Sequence, residues 1–167
     1  MRQIILPFLI VLLAPLIGCN PKNIDRDARD KNFTHVKSED AEMNAAIAEA
    51  NATFPKFLSA LRDRKPTCRD FGVKKPYATP GGGNEHIWIA DINELDGEFE
   101  GTISNDAYET KLVKNGQRVR FSASEISDWK YVDADVLVGG FTIRYFVNRM
   151  TPEEKDALEK EVGFRIK

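Results

Sequence analysis

Residues 122–146, SASEISDWKYVDADVLVGGFTIRYF, decide the fold, because two β-rich runs, the second tryptophan and a glycine pair meet there. Asp133-Ala134-Asp135 is a polar break of the kind that turns a hairpin. Beyond it Phe141, Ile143, Tyr145 and Val147 alternate with Thr142, Arg144 and Phe146, the two-residue period of a strand with one buried face. The spacing predicts one strand over 136–147, interrupted at Gly139-Gly140. A glycine pair inside a strand marks a bulge, or a close approach by another backbone or a ligand.

Working back from this stretch, the alternating period persists as far as Asp70. It predicts further strands over 71–77, 86–93, 98–104, 117–123 and 128–132. Turn chemistry separates them at Thr79-Pro80-Gly81-Gly82-Gly83-Asn84, Asp96-Gly97, Asn105-Asp106 and Asn115-Gly116. Such short connections imply mainly antiparallel neighbours, since a parallel crossover takes a dozen or more residues.

Before Asp70 the period is helical. Ser38-Glu39-Asp40 supplies a cap and first-turn acids, and Met43, Ile47, Ala50, Phe54, Phe57, Leu58 and Leu61 recur at three and four residues. That apolar stripe reads as core packed on a sheet, with Pro55 predicting a kink or break near Thr53. At the other end Thr151-Pro152-Glu153-Glu154 is a capping box with proline at the first helical position, and Gly163 is placed to end the helix. Ala157, Leu158 and Val162 form a narrow stripe, which places this helix on the sheet's edge or flank. The expected class is α+β: a curved antiparallel sheet of five to six strands, an N-terminal amphipathic helix on one face and a short C-terminal helix.

The 167 residues, 42% hydrophobic and 30% charged, suit one globular domain with a modest core. A formal net charge of -2 and the lack of a basic stripe argue against nucleic acid. Met1-Arg2-Gln3 followed by an apolar run over 4–17 reads as an export signal, too short to cross a bilayer. Its end, Leu16-Ile17-Gly18-Cys19, resembles the bacterial lipobox, which predicts a signal peptide over 1–18, lipid on Cys19 and permanent attachment to a membrane. By resemblance to Gram-negative lipoproteins, Asn20 implies the outer membrane, with the domain facing the periplasm. Residues 20–37 mix both charges with few apolar side chains and read as a tether carrying a solvated His35. Such a chain spans on the order of 25 Å. The single domain is then expected over 38–167. With Cys19 acylated, Cys68 has no partner for a disulfide and reads as a small, partly buried residue.

Five short stretches carry a resemblance: Glu85-His86-Ile87-Trp88-Ile89, Phe99-Glu100-Gly101-Thr102-Ile103-Ser104-Asn105, Gly116-Gln117-Arg118-Val119-Arg120-Phe121, Ile126-Ser127-Asp128-Trp129 and Gly139-Gly140-Phe141-Thr142. In order and spacing they resemble the YegJ-like family of bacterial proteins of unknown function, over most of residues 43–146. Where the family pattern continues from asparagine to an acidic residue and proline, this chain has Asn105-Asp106-Ala107, so that turn is expected to be built differently. The resemblance implies no established activity. Some members look like parts of toxin and immunity neighbourhoods, which implies protein binding.

No nucleophile elbow, zinc helix, phosphate loop or Cys-x-x-Cys motif is present. Two histidines and one thiol make no closed zinc shell, and 91–96 is only a truncated version of a calcium loop, so no metal or cofactor is expected. Gly81-Gly82-Gly83 precedes a strand rather than a helix and reads as a hairpin loop, not an anion nest. Glu85, His86, Trp88, Asp128, Trp129, Gly139 and Gly140 remain as a candidate binding surface. If His86 met Asp128 across the sheet, the carboxylate would orient the imidazole and raise its pKa, as in a general base. The alternative is a satisfied strand-end histidine, with Trp88 and Trp129 as core aromatics whose N–H groups find carbonyls. Two functions follow: a membrane-anchored, non-catalytic binding module with an envelope protein partner, or an envelope hydrolase using His86 with Glu85 or Asp128. An immunity-type protein that binds a toxin is a variant of the first.

Overall fold

The computed structural model describes residues 40–167; the expected signal peptide, Cys19, the tether and His35 lie outside the described residues. Helix α1 (Ala41–Asp63) opens at Asp40, whose Oδ1 accepts the Met43 N–H at 2.9 Å. It closes on Arg64, which turns left-handed at φ 46°. The break expected near Thr53 does not occur, and the helix runs unbroken through Pro55. Proline removes one N–H, whose partner would have been the carbonyl of Asn51 on the exposed face. Phe54 and Phe57, on either side of Pro55, are both buried, and that shared packing outweighs one lost hydrogen bond.

Six antiparallel strands follow: β1 (Cys68–Ala78), β2 (Asn84–Leu95), β3 (Glu98–Ile103), β4 (Arg118–Phe121), β5 (Asp128–Asp133) and β6 (Val136–Gly139). Their order in the sheet is β4-β3-β2-β1-β5-β6. Two hairpins use two-residue turns with both residues left-handed, Asp96-Gly97 and Ala134-Asp135, a geometry that matches the strand twist. The link from β4 to β5, residues 122–127, crosses four strand spacings, about 19 Å, in only six residues. An extended chain of that length has almost no slack, which favours a curled sheet.

The face toward α1 is the core. Val73, Ile87, Ile89, Phe99, Ile103, Phe121, Trp129 and Tyr131 point there and pack against Phe54 and Phe57. Phe57 and Trp129 lie 5.8 Å apart between ring centroids, and the Trp129 indole N–H donates to the Ala50 carbonyl at 2.8 Å.

The expected long strand over 136–147 is corrected by the structure: β6 stops at Gly139, and residues Phe141–Val147 form helix α2. Gly139 and Gly140 both adopt left-handed φ, 72° and 65°. A Cβ on Gly139 would sit 2.3 Å from the Trp129 carbonyl oxygen, so only glycine can pass β5 at this distance. The chain leaves the sheet there, and the freed amides of Phe141 and Thr142 donate to the Asp128 carboxylate at 3.1 and 2.8 Å. Apolar alternation misled because α2 is short and mostly half-buried, so a strand and a helix read alike at this length.

Helix α3 (Pro152–Val162) begins with the expected capping box at Thr151 and ends on Gly163 at φ 74°. The tail after it turns back along β6. Arg165 accepts the Leu137 N–H at 2.9 Å and donates to the Asp135 carbonyl at 2.8 Å. Leu137, Val147 and Ile166 form a second small core, joined by Leu158 and Phe164.

Candidate functional site

Strand register places a set of polar residues on the sheet face turned away from α1. In β1 and its two neighbours Lys74 stands opposite both Trp88 and Asp128, Gly72 opposite Lys130, and Pro76 opposite His86. Side chains on directly paired positions share a face, so Gly72, Lys74, His86, Trp88, Asp128 and Lys130 occupy one side. Trp129, one residue along, points to the other.

Trp88 is the centre of this face. Its N–H donates to Asn105 Oδ1 at 2.7 Å and its carbonyl accepts from Ser104 at 2.9 Å, so its backbone is held on both sides. The Lys74 and Lys130 ammonium groups each lie 5.2 Å from the indole centroid, within cation–π range. Both lysines are half-buried, and burial lowers both pKa values, partly offset by Asp128 and, for Lys130, also by Asp70. Lys74 donates to the Thr142 hydroxyl at 3.3 Å, which in turn donates to Asp128 Oδ2 at 2.6 Å.

Asp128 is fully buried, and four donors occupy its carboxylate: the Trp129, Phe141 and Thr142 amides and the Thr142 hydroxyl. Burial nevertheless raises its pKa, against the pull of the Thr142 hydrogen bonds. It is the N-terminal anchor of α2 rather than a partner for His86. The His86 ring instead meets the Ser127 hydroxyl at 2.7 Å through Nδ1. Burial and the Lys74 charge lower its pKa to about 4, the reverse of the rise that a carboxylate partner would produce. An imidazole this weakly basic is neutral at pH 7 and a poor proton acceptor for chemistry.

The remaining candidates divide the same way. Glu85 accepts the Tyr108, Glu109 and Thr110 amides at 2.7, 2.9 and 2.8 Å, clamping the loop over 104–117 onto the start of β2. Trp129 is 1% exposed inside the core, and Gly139 and Gly140 are buried where β6 leaves the sheet. Of the seven candidate positions, Trp88 and His86 thus belong to the open face, Asp128 supports it from beneath, and the others build the fold. Cys68 is a half-buried free thiol. It lies with Arg64, Asp70 and Asp91 along an open depression of about 610 Å³ at the end of α1.

Lys74, Lys130 and Gly72 were not singled out by the sequence reading. Lys74 and Lys130 hold the positions next to Val73 and Trp129, and a lysine alternating with core residues reads as a solvated outer face. Only the register reveals that both converge on one tryptophan.

Comparison with known proteins gives two clear relatives. The chain is 34% identical over 120 residues to the uncharacterised protein YegJ of Escherichia coli K12, covering 72% of this chain and 76% of that one. It is also 34% identical over 134 residues to a putative ankyrin repeat protein of Neisseria meningitidis serogroup B, covering 75% of this chain but 53% of that protein. No solved structure matches. The family described as uncharacterised proteins conserved in bacteria, DUF2314, matches residues 40–166, from the cap of α1 to the buried Ile166 of the tail, and the chain belongs to that family.

Proposed function

We propose that this protein is a lipid-anchored, non-catalytic binding domain of the cell envelope. Lipid on Cys19 would hold it on the outer membrane, with the folded domain on the periplasmic side and the Trp88 face turned toward a protein partner. The observation that carries the non-catalytic part is the state of the two groups best suited to acid–base work. Asp128 has its acceptor directions committed to the Trp129 amide and the start of α2, and His86 is a weak base held by a serine. What remains presented on that face is an aromatic plane and two ammonium groups, which is recognition chemistry. The lipobox-like Leu16-Ile17-Gly18-Cys19 supports the anchor.

The anchor is tested by expressing the full chain and its Cys19→Ser variant with a clickable fatty acid and fractionating the cells. The native chain should carry the label and pellet with outer membranes, and the variant should carry none. Label-free native protein, or a variant that pellets equally, would remove the anchored reading. The non-catalytic part is tested with a broad panel of ester, amide and glycoside substrates: turnover by the native chain that His86→Ala abolishes would replace binding with hydrolysis.

A further inference from the structure

We propose that the open sheet face around Trp88 recognises an acidic, extended segment of a partner protein, with one carboxylate seated between Lys74 and Lys130 and a neighbouring side chain lying on the indole. This deepens the binding role above and rests on it. The two ammonium groups flank one ring at 5.2 Å each, so they form a fixed pair rather than two independent surface charges.

Neither lysine has a directly paired carboxylate among the described residues, although nearby cations are matched: Lys75 by Glu125, Arg118 and Arg120 by Glu100. Asp128, which both lysines sense, has its oxygens filled by four donors, and Asp70, which Lys130 also senses, is ion-paired with Arg69. The two ammonium groups thus keep donor directions that no carboxylate of the described residues takes up at ion-pair distance. Burial disfavours both ammonium ions, and an arriving carboxylate would relieve that cost in the complex.

Gly72 lies beneath the pair, and a Cβ there would come within 3.6 Å of both Lys130 Cε and the Trp88 ring. Gly72 is itself buried, so the indole and the Lys130 stem pack directly on the β1 backbone, which sets the ring and its two lysines in place. The face is a strand surface, and the depression of about 610 Å³ at the end of α1 is lined by other residues. A bilayer surface is disfavoured by the placement of the exposed large apolar side chains, Leu95, Tyr108, Leu112 and Val162, none of which adjoins Trp88 in the strand register.

The test uses the full chain in detergent and a fluorescein-labelled peptide in which glutamate alternates with leucine, with a glutamine-for-glutamate peptide as control. Anisotropy should show binding of the acidic peptide alone, weakening as salt rises. Lys74→Met and Lys130→Met should each weaken it by about tenfold or more, while Lys130→Arg retains most of it and Lys111→Met, on the loop outside the face, changes nothing. Circular dichroism of each variant separates lost binding from lost fold. No binding of the acidic peptide by the native chain, equal binding of the glutamine peptide, or equal affinity in the methionine variants would overturn the proposal. So would displacement by short-chain phosphatidylglycerol under conditions where short-chain phosphatidylcholine has no effect, since that would make the face a lipid-headgroup surface. Cleavage of the peptide, read by mass, would instead sink the non-catalytic role and leave the recognition surface standing.

Discussion

At Asp128 a single side chain joins three parts of the molecule: the start of β5, the first amides of α2 and, through Thr142, the ammonium of Lys74. Removing a buried acceptor strands its donors, so Asp128→Ala should destabilise the fold by about 2–4 kcal/mol in urea unfolding. Thr142→Val, which removes one hydroxyl and spares the amide bonds, should cost about 1 kcal/mol. His86 makes a prediction of opposite character. Its folded pKa of about 4 lies below the ordinary value of about 6.5, so between those pH values the unfolded chain binds a proton that the folded chain does not. Stability therefore falls as pH drops from about 6.5 to about 4, by at most about 3 kcal/mol from this group, and levels off below. Asp128 has the reverse sign: its raised pKa means the folded state takes up the proton first, which partly offsets the loss on acidification. Comparing urea midpoints at pH 7 and pH 5 for the native chain and His86→Gln isolates the histidine, and a native pH slope no steeper than that of the variant would contradict the assignment. The sequence offered two readings of Trp129, a place on the binding surface and a core indole whose N–H finds a carbonyl, and the structure has the second, with the N–H on Ala50. The sequence hid the role of Asp128, because the amides that Asp128 binds belong to a helix the apolar pattern had disguised as strand.

Among the elements, hairpins were the most legible, since Asp96, Gly97 and Asp135 are residue types that tolerate left-handed turns, with Ala134 the one position that takes that conformation against type. The switch from β6 to α2 was legible only as an interruption. Gly139-Gly140 stood out, yet whether the pair bulged a strand or ended it depends on how near β5 lies, which no local pattern encodes. The close approach gives a sharp expectation. Gly139→Ala must displace the Trp129 backbone as well as strain φ, and should cost more than about 3 kcal/mol. Gly116→Ala, also at positive φ but with open space around its Cβ, should cost only about 1 kcal/mol. Similar losses for the two would show that strain, not crowding, fixes the switch. The loop over 104–117 rests in the same way on one distant side chain. Glu85→Ala should leave the Tyr108, Glu109 and Thr110 amides unprotected in hydrogen exchange while the amides of β1 and β2 keep their protection.

For the molecule as a whole, an open six-stranded sheet has two edges to defend, and it defends them differently. At β4 the strand is four residues long and carries Arg118 and Arg120, both paired with Glu100, so charge discourages another strand from docking. At β6 the defence is a lid of backbone: the tail beyond Gly163 takes up the Leu137 amide and the Asp135 carbonyl, and buries Ile166 against Leu137 and Val147. The narrow stripe on α3 pointed to a flanking position, but residues 164–167 are too short to show a strand period, so this pairing was invisible in the sequence. Ending the chain after Gly163 removes both the hydrogen bonds and the apolar cover in one step. The shortened chain should therefore self-associate, with light scattering that rises with concentration more steeply than for the full chain. Arg165→Ala keeps the same backbone bonds and the same buried Ile166, and should scatter like the native protein. If that point variant associates as readily as the truncation, the arginine side chain protects the edge by charge, and the tail's main chain is not what closes the sheet.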